Sequence, residues 1–452
     1  MIKYERDSRL VKPGQIFVAI KGFTVDGHDY INQAIENGAK EIIAERELEV
    51  SIPVTVVSNS EKYLEERLKE EYSHEFDDLH FIGVTGTNGK TTTCYLIYQM
   101  LHNLNVNTAY IGTLGFYTKD SITELDNTTP DVLTLYKLLF QAKNAGCTHV
   151  IMEVSSHAIS YNRIAGLNFD VASFTNLSQD HLDYHITMEN YFNEKLKLLD
   201  YLKDNSPFIT NSDDEKGLVF KDKYKNTYSI GLSGDYKIID FVIDPEKTDL
   251  TFSFNEKKYK TSYELTNKFN IYNYLMALAI VNQLGFKLED IINISEHVKA
   301  PKGRSETIKV NKGFAVVDYA HAPDAVEKVI TAYNEIKENR VITVLGCGGD
   351  RDPKKRPLMG GFASNLSDYV VFTNDNPRTE DPKLIMKDIL EGVTKDNYEI
   401  VYDRREAIKK AIDLMADKDI VLILGKGHED YQIIGREKFH LDDAEEVRNW
   451  SN

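Results

Sequence analysis

The stretch TGTNGKTTT, Thr85 to Thr93, gathers the residue types that hold a phosphate. Gly86 and Gly89 let backbone amides turn inward on an anion, Lys90 supplies a point charge, and Thr91 offers a hydroxyl to magnesium. Thr87, Asn88 and Thr92 complete the set of nucleotide-binding candidates. A standard Walker A loop has a glycine five residues before Gly89. That position is Val84, so the loop opens at Gly86 and is shorter. The plain alternative is a glycine turn before a helix. A buried strand ahead, Gly-Lys-Thr within and a helix behind favour the nucleotide. No NKxD signature accompanies the loop, which weighs against a GTPase.

A second stretch, DNPRTEDP, follows the apolar run DYVVFT and holds one cation, Arg378, among acidic residues. As a lone tetrapeptide, DNPR reads as a strand stopped by proline, its arginine answering Glu380 and Asp381. GKGHE, ending at Glu429, stands at the end of another apolar run, DIVLIL.

These stretches need strand ends to carry them. LHFIGV, HVIMEVSS and VASFTNLS are short apolar runs ending in polar residues, the pattern of parallel strands with a site at their carboxyl ends. Residues 205–265 alternate like strands, and FNIYNYLMALAIVNQLG reads as a helix. The last third restarts the alternation with FAVVDYA, RVITVLGC, DYVVFTND, YEIVYD and DIVLILGKG as strands separated by helices. A charged amphipathic helix and acidic linker over 61–78 close a small N-terminal domain, and APKGRSE, 300–306, is a hinge. The expected division is 1–78, 79–299 and 300–452.

Composition narrows the classes. A chain of 452 residues with 42% hydrophobic content fills several cores. Its net charge of −17 argues against nucleic-acid binding and requires local cations for any anionic substrate. Cys94, Cys147 and Cys347 are far apart with no zinc spacing, which points to a reducing compartment. No signal-peptide h-region and no bilayer-length apolar run are present, so a cytoplasmic protein without membrane contact is expected.

In order along the chain, TGTNGKTTT, NTTPD, MEVSSHA, FTNLSQDHLDYH, VVDYAHAPDA, GCGGDRDPKKRP, DNPR and GKGHE resemble the motifs of the Mur ligases. The narrower likeness is to the UDP-N-acetylmuramoyl-tripeptide synthetases. It covers almost the whole chain, including DSRLVKPGQIFVAIKGFTVDGHDYI near the start. The resemblance implies an α/β fold of three domains. These are a small nucleotide-sugar domain, a central P-loop ATPase-like parallel-sheet domain and a C-terminal Rossmann-like domain. It also implies ATP-dependent amide formation through an acyl phosphate, with magnesium as cofactor, in a monomer.

By the same resemblance, Lys90, Glu153, His181, Lys195 and His321 are the catalytic set. Thr91, Glu153, His181 and a carbamylated Lys195 hold metal; Lys197 is the nearest competitor for that modification. Asn273, Arg304 and Asp318 serve the base and ribose across the hinge, so that ATP helps close the C-terminal domain. Ser8 and Thr24 face uridine, while Thr128, Thr129, Ser155 and Arg163 face the muramoyl dipeptide. Arg356, Asp375, Asn376, Arg378, Gly425 and Glu429 receive the amino acid. DNPR implies meso-diaminopimelate, whose distal carboxylate suits a bidentate Arg378 while Glu429 meets the distal ammonium.

The chain departs from the family pattern at three places. It begins almost directly at DSR, which shortens the uridine domain. Tyr161 stands where some members have a polar amide, and Asn267 where glycine is common. A Mur-type paralogue with another acceptor or with L-lysine, and a non-catalytic nucleotide-binding protein, are the alternatives. The full Lys90, Glu153, His181 and Lys195 set weighs against the second.

Overall fold

The computed structural model describes residues 2–22 and 25–451. It is a three-domain α/β fold whose N-terminal, middle and C-terminal portions each carry a parallel sheet. Packing divides the chain into two compact units, one of residues 1–94, 105–210 and 214–228, the other of 95–104, 211–213 and 229–452.

The first unit opens with four parallel strands in chain order, Tyr4–Glu5, Ile16–Val18, Glu41–Ala44 and Val54–Val56. The helix Ser60–Tyr72 follows, capped by Asn59, whose side chain accepts from Lys62 N, and it buries Leu64 and Leu68 on one face. The parallel strands after it lie in the order Phe208–Asn211, Val171–Phe174, His80–Thr85, His149–Glu153, Thr108–Gly112. His80–Thr85 is therefore flanked by the two runs whose polar ends belong to the other motifs. Lys137 Nζ on Glu5 Oε2 at 2.6 Å ties the opening strand to the helix Val132–Asn144.

The second unit holds an antiparallel meander, Tyr236–Ile243, Thr248–Phe254 and Lys257–Tyr263, and the helix Lys268–Gln283. Its main sheet has the order Glu306–Val310, Gly313–Asp318, Asp419–Leu424, Val341–Leu345, Tyr369–Phe372, Tyr398–Ile400, parallel after the first pair. Along Asp419–Leu424, Ile420, Leu422 and Leu424 enter one core while Val421 and Ile423 enter the other. Burial on both faces explains why these strands read as unbroken apolar runs. A hairpin, Tyr431–Ile434 with Glu437–His440, was not foreseen from the sequence. Among the described residues, no helix is long and apolar enough to cross a membrane.

Candidate active site

The phosphate loop lies at the carboxyl end of His80–Thr85, where the chain enters the helix Lys90–Asn103. Gly86 has φ +143, and a Cβ on it would lie 1.9 Å from Thr175 Oγ1, so no side chain fits. The loop is fastened to the end of the adjacent strand. Thr87 N donates to Asn176 O at 2.8 Å and Asn88 N to Asn176 Oδ1 at 3.1 Å. Thr175 Oγ1 donates to Asn88 O at 2.6 Å, and Thr87 Oγ1 to Ser178 O at 3.2 Å. The amides opening the helix have no intrahelical acceptor and are suited to an anion. Thr91 and Thr92 are buried in that first turn.

Glu153 is fully buried at the end of its strand. Its Oε1 accepts from Tyr110 Oη at 2.7 Å and Thr113 N at 2.8 Å, and its Oε2 from Thr91 Oγ1 at 2.9 Å. Every one of these partners is neutral. They solvate a carboxylate without neutralising it, so Thr91 and Glu153 together have the oxygen chemistry of a hard-cation site. Thr129 braces the same strand end: its Oγ1 donates to Glu153 O at 2.7 Å and accepts from Ser155 N at 3.3 Å.

Lys90 Nζ donates to Gly86 O at 3.0 Å and Thr87 O at 2.8 Å. Lys195 Nζ, on the helix Met188–Leu196, reaches Gly86 O at 2.8 Å and lies over the Tyr191 ring at 4.3 Å. Burial, and then the neighbouring Lys90 charge, push the Lys195 amine well below its ordinary range. Lys197 is instead a surface lysine paired with Glu194 at 2.7 Å. His181 has φ +51 and packs edge-on against His157 at 4.8 Å. Burial lowers its pKa and favours the neutral imidazole, the form that gives a lone pair to a metal.

In the second unit, Asp318 ends its strand and accepts from Ser305 N at 2.7 Å. Burial raises its carboxyl pKa, with Arg304 opposing. The Arg304 guanidinium lies over Tyr319 at 4.6 Å, and His321 Nδ1 contacts Tyr319 O at 2.8 Å. Asn273 is buried and donates to Asn270 Oδ1 at 3.0 Å.

The DNPR and GKGHE segments meet beyond the carboxyl ends of Tyr369–Phe372 and Asp419–Leu424. Asn376 Nδ2 donates to Glu429 Oε2 at 2.8 Å, and buried Lys426 Nζ reaches Asn376 Oδ1 at 3.1 Å and Glu429 Oε2 at 3.0 Å. Asp375 Oδ1 accepts from Asn376 N at 2.6 Å, and a Cβ on Gly425 would lie 2.6 Å from Asp375 Oδ2. Arg378 is half-buried and donates from Nη1 to Gly349 O at 2.7 Å; among the described residues no carboxylate pairs with it.

Comparison with known proteins decides the lineage. The Mur ligase middle domain matches residues 84–281, the Mur ligase glutamate ligase domain 303–427, and the Mur ligase family catalytic domain 4–75. The chain belongs to the Mur ligase family. It is 39% identical to the UDP-N-acetylmuramoyl-L-alanyl-D-glutamate–2,6-diaminopimelate ligase of Clostridium botulinum, over 98% of this chain and 94% of that one. The enzyme of the same name from Fusobacterium nucleatum is 41% identical over 98% and 92%. A solved structure of a ligase of that name superposes with TM-score 0.72 at 33% identity, covering 99% of this chain and 94% of that one. The protein is thus an ATP-dependent Mur ligase of peptidoglycan synthesis.

Several of the expected site side chains of this Mur ligase are engaged with other parts of the protein. Arg356, expected at the amino acid, has a side chain 4% exposed that bonds Glu380 at 2.8 Å, Asp388 at 2.9 Å and Gly348 O at 3.1 Å. Arg351, Lys354 and Lys355 of that motif are exposed; the Cγ of Arg351 would lie 3.8 Å from a Cβ on Gly348, where Arg378 Nη1 would be 3.0 Å away. Thr129 Oγ1 braces the strand end, and Thr128 Oγ1 lies 3.1 Å from Thr113 Oγ1. Ser8 is buried and donates to Gln33 Oε1 at 2.6 Å, which turns its hydroxyl into the domain. Ser155 caps the helix Ser156–Ser160, and Arg163 Nη1 holds Thr129 O at 2.8 Å. Thr24 lies outside the described residues. The sequence reading missed Lys426, Thr113, Asn176 and Arg351; the lysine inside GKGHE was the readable signal.

Proposed function

We propose that this Mur ligase joins the D-glutamate carboxylate of UDP-N-acetylmuramoyl-L-alanyl-D-glutamate to meso-diaminopimelate, with ATP as the driving reactant. The observation that carries the reading is Arg378, a half-buried guanidinium with no carboxylate partner among the described residues. The two acids that sequence offered it are otherwise engaged: Glu380 pairs with Arg356 and Asp381 caps the helix Pro382–Leu390. Diaminopimelate brings the missing carboxylate, and Glu429, fixed by Lys426 and Asn376, receives its ammonium. Lysine would leave Arg378 desolvated and unpaired.

The substrate carboxylate oxygen attacks the γ-phosphorus, forming an acyl phosphate and releasing ADP. The amine nitrogen then attacks the acyl carbon, phosphate leaves and the nitrogen loses a proton. The loop from Gly86 to Thr92 holds the triphosphate, and Lys90 offsets its charge. Thr91, Glu153 and His181 supply the donors that suit magnesium, which when bound neutralises phosphoryl charge. Lys195 is assigned as a carbamate: its neutral nitrogen adds to carbon dioxide with release of one proton. Asn273, Arg304 and Asp318 take the nucleoside, and His321 the phosphate end. Arg163, Ser155 and Thr128 take the dipeptide. Residues 1–78, 79–299 and 300–452 are assigned to the sugar nucleotide, ATP and amino acid respectively, in a cytoplasmic monomer.

Phosphate release from ATP is the test, with the muramoyl dipeptide and one amino acid at a time. Turnover with meso-diaminopimelate and loss of about 50-fold in kcat/KM in Arg378→Ala, at unchanged KM for ATP, are expected. Equal turnover of L-lysine by the unaltered protein would sink the assignment.

A further inference from the structure

The hairpin Tyr431–His440 stands outside the sheets of the second unit, in a two-stranded sheet of its own. Ile434 and Phe439 are exposed on it, so it has little core to stabilise it, and an isolated hairpin is marginal in water. His440 at its far end meets Arg405 and Glu445, and the bonds of its first strand to the rest of the fold go to the DNPR segment. Arg378 N donates to Ile433 O at 3.1 Å, and Gly435 N donates to Arg378 O at 2.8 Å. Ile433 N donates to Asn376 Oδ1 at 2.9 Å, and Gln432 Nε2 to Asp375 O at 2.7 Å. DNPR is thereby bridged to the hairpin, with Arg378 paired to Ile434.

Arg378 needs that support. It has φ +51, a region that a residue with a Cβ enters at an energetic cost, and both of its main-chain polar groups bond the hairpin. Tyr431 also lies beside Lys426, whose ammonium is 5.4 Å from its ring centroid and holds Asn376 and Glu429. The hairpin therefore touches both the DNPR segment and Lys426 of GKGHE.

We infer that the hairpin is the specificity strap of this ligase and that Gln432 is its positioning residue. The Gln432 bond to the Asp375 carbonyl sets where the Arg378 guanidinium stands for the distal carboxylate of the incoming amino acid. The inference rests on the amino-acid reading above, and the two fail separately.

The test compares Gln432→Met, similar in length but with no donor, and Gln432→Glu, whose carboxylate cannot donate to a carbonyl. KM and kcat are measured for meso-diaminopimelate, L-lysine and ATP, with thermal midpoints. Loss of one neutral hydrogen bond predicts a rise of roughly fivefold in KM for meso-diaminopimelate in Gln432→Met, and a larger one in Gln432→Glu. kcat, KM for ATP and the residual kcat/KM for lysine stay unchanged, so discrimination between the two amino acids narrows. An unchanged KM for meso-diaminopimelate overturns the inference. So does an equal loss with both amino acids together with a lowered midpoint, because that is the mark of general unfolding. If the unaltered protein prefers lysine, the amino-acid reading fails and takes the distal-carboxylate role of Arg378 with it, whereas a preference for meso-diaminopimelate with an unchanged KM in Gln432→Met overturns the strap alone.

Discussion

Lys195 Nζ donates to the carbonyl of Gly86 at 2.8 Å, and Lys90 Nζ reaches the same oxygen at 3.0 Å. Two amines this close cannot both carry a proton without strong mutual repulsion, and Lys195 is only 1% exposed. The neutral amine is the form that adds carbon dioxide. Protein stripped of bicarbonate is expected to lose most of its ligase activity and to regain it when bicarbonate returns. Lys195→Met is expected to fall by at least about 100-fold and to gain nothing from bicarbonate. A Lys195→Met enzyme that responds to bicarbonate like the parent would remove the carbamate from Lys195.

Arg356 and Arg378 separate stability from selection. Arg356 joins the loop acid Glu380 to Asp388 on the helix Pro382–Leu390, from a buried position. Arg356→Ala leaves two acids facing each other and is expected to cost about 3 kcal/mol of unfolding free energy in urea. Arg378→Ala breaks one bond to a carbonyl and is expected to stay within about 1 kcal/mol of the parent. Equal losses would mean that Arg378 is a structural arginine.

Much of this was legible because parallel strands buried on both faces must be apolar and must end in the polar residues of a site. That is why the ends of His80–Thr85 and His149–Glu153 were readable. Which cation faces a site is not encoded in spacing. Arg351 and Arg356 share one short motif, and only the fold shows that Arg356 is turned onto Glu380 and Asp388. The hairpin Tyr431–His440 was missed because its strands are short, one half-buried and the other exposed, with no alternating apolar face. The inner bonds of a motif hydroxyl are likewise not encoded in spacing: only the fold shows that Thr129 braces Glu153 and Ser155.

Gly303 and Gly427 meet backbone to backbone. A Cβ on Gly303, at φ +64, would lie 2.0 Å from Gly427 C. One side of this joint leads to Arg304 and Asp318, the other to Lys426 and Glu429. Gly303→Ala must displace one of them, through overlap and left-handed strain worth about 2 kcal/mol or more. KM for ATP and KM for the amino acid are expected to rise together. A rise in only one would show that the joint does not couple the two segments.

His149 provides a pH test away from the phosphate loop, at the amino end of its strand. Burial, together with the His80 ring 4.8 Å away, pushes its pKa down to about 4. In the unfolded chain a histidine takes its proton near about 6.5. Between those values the unfolded state binds more protons than the native one, so stability falls as pH drops from about 6.5 towards 4. His157 and His428, also pushed down to about 4 by burial, act with the same sign. Each such histidine adds up to about 1.4 kcal/mol per pH unit to the slope. Urea unfolding of His149→Gln across this range should lose one proton's share of that slope and keep the rest. A slope identical to the parent's would mean that His149 is protonated in the folded protein.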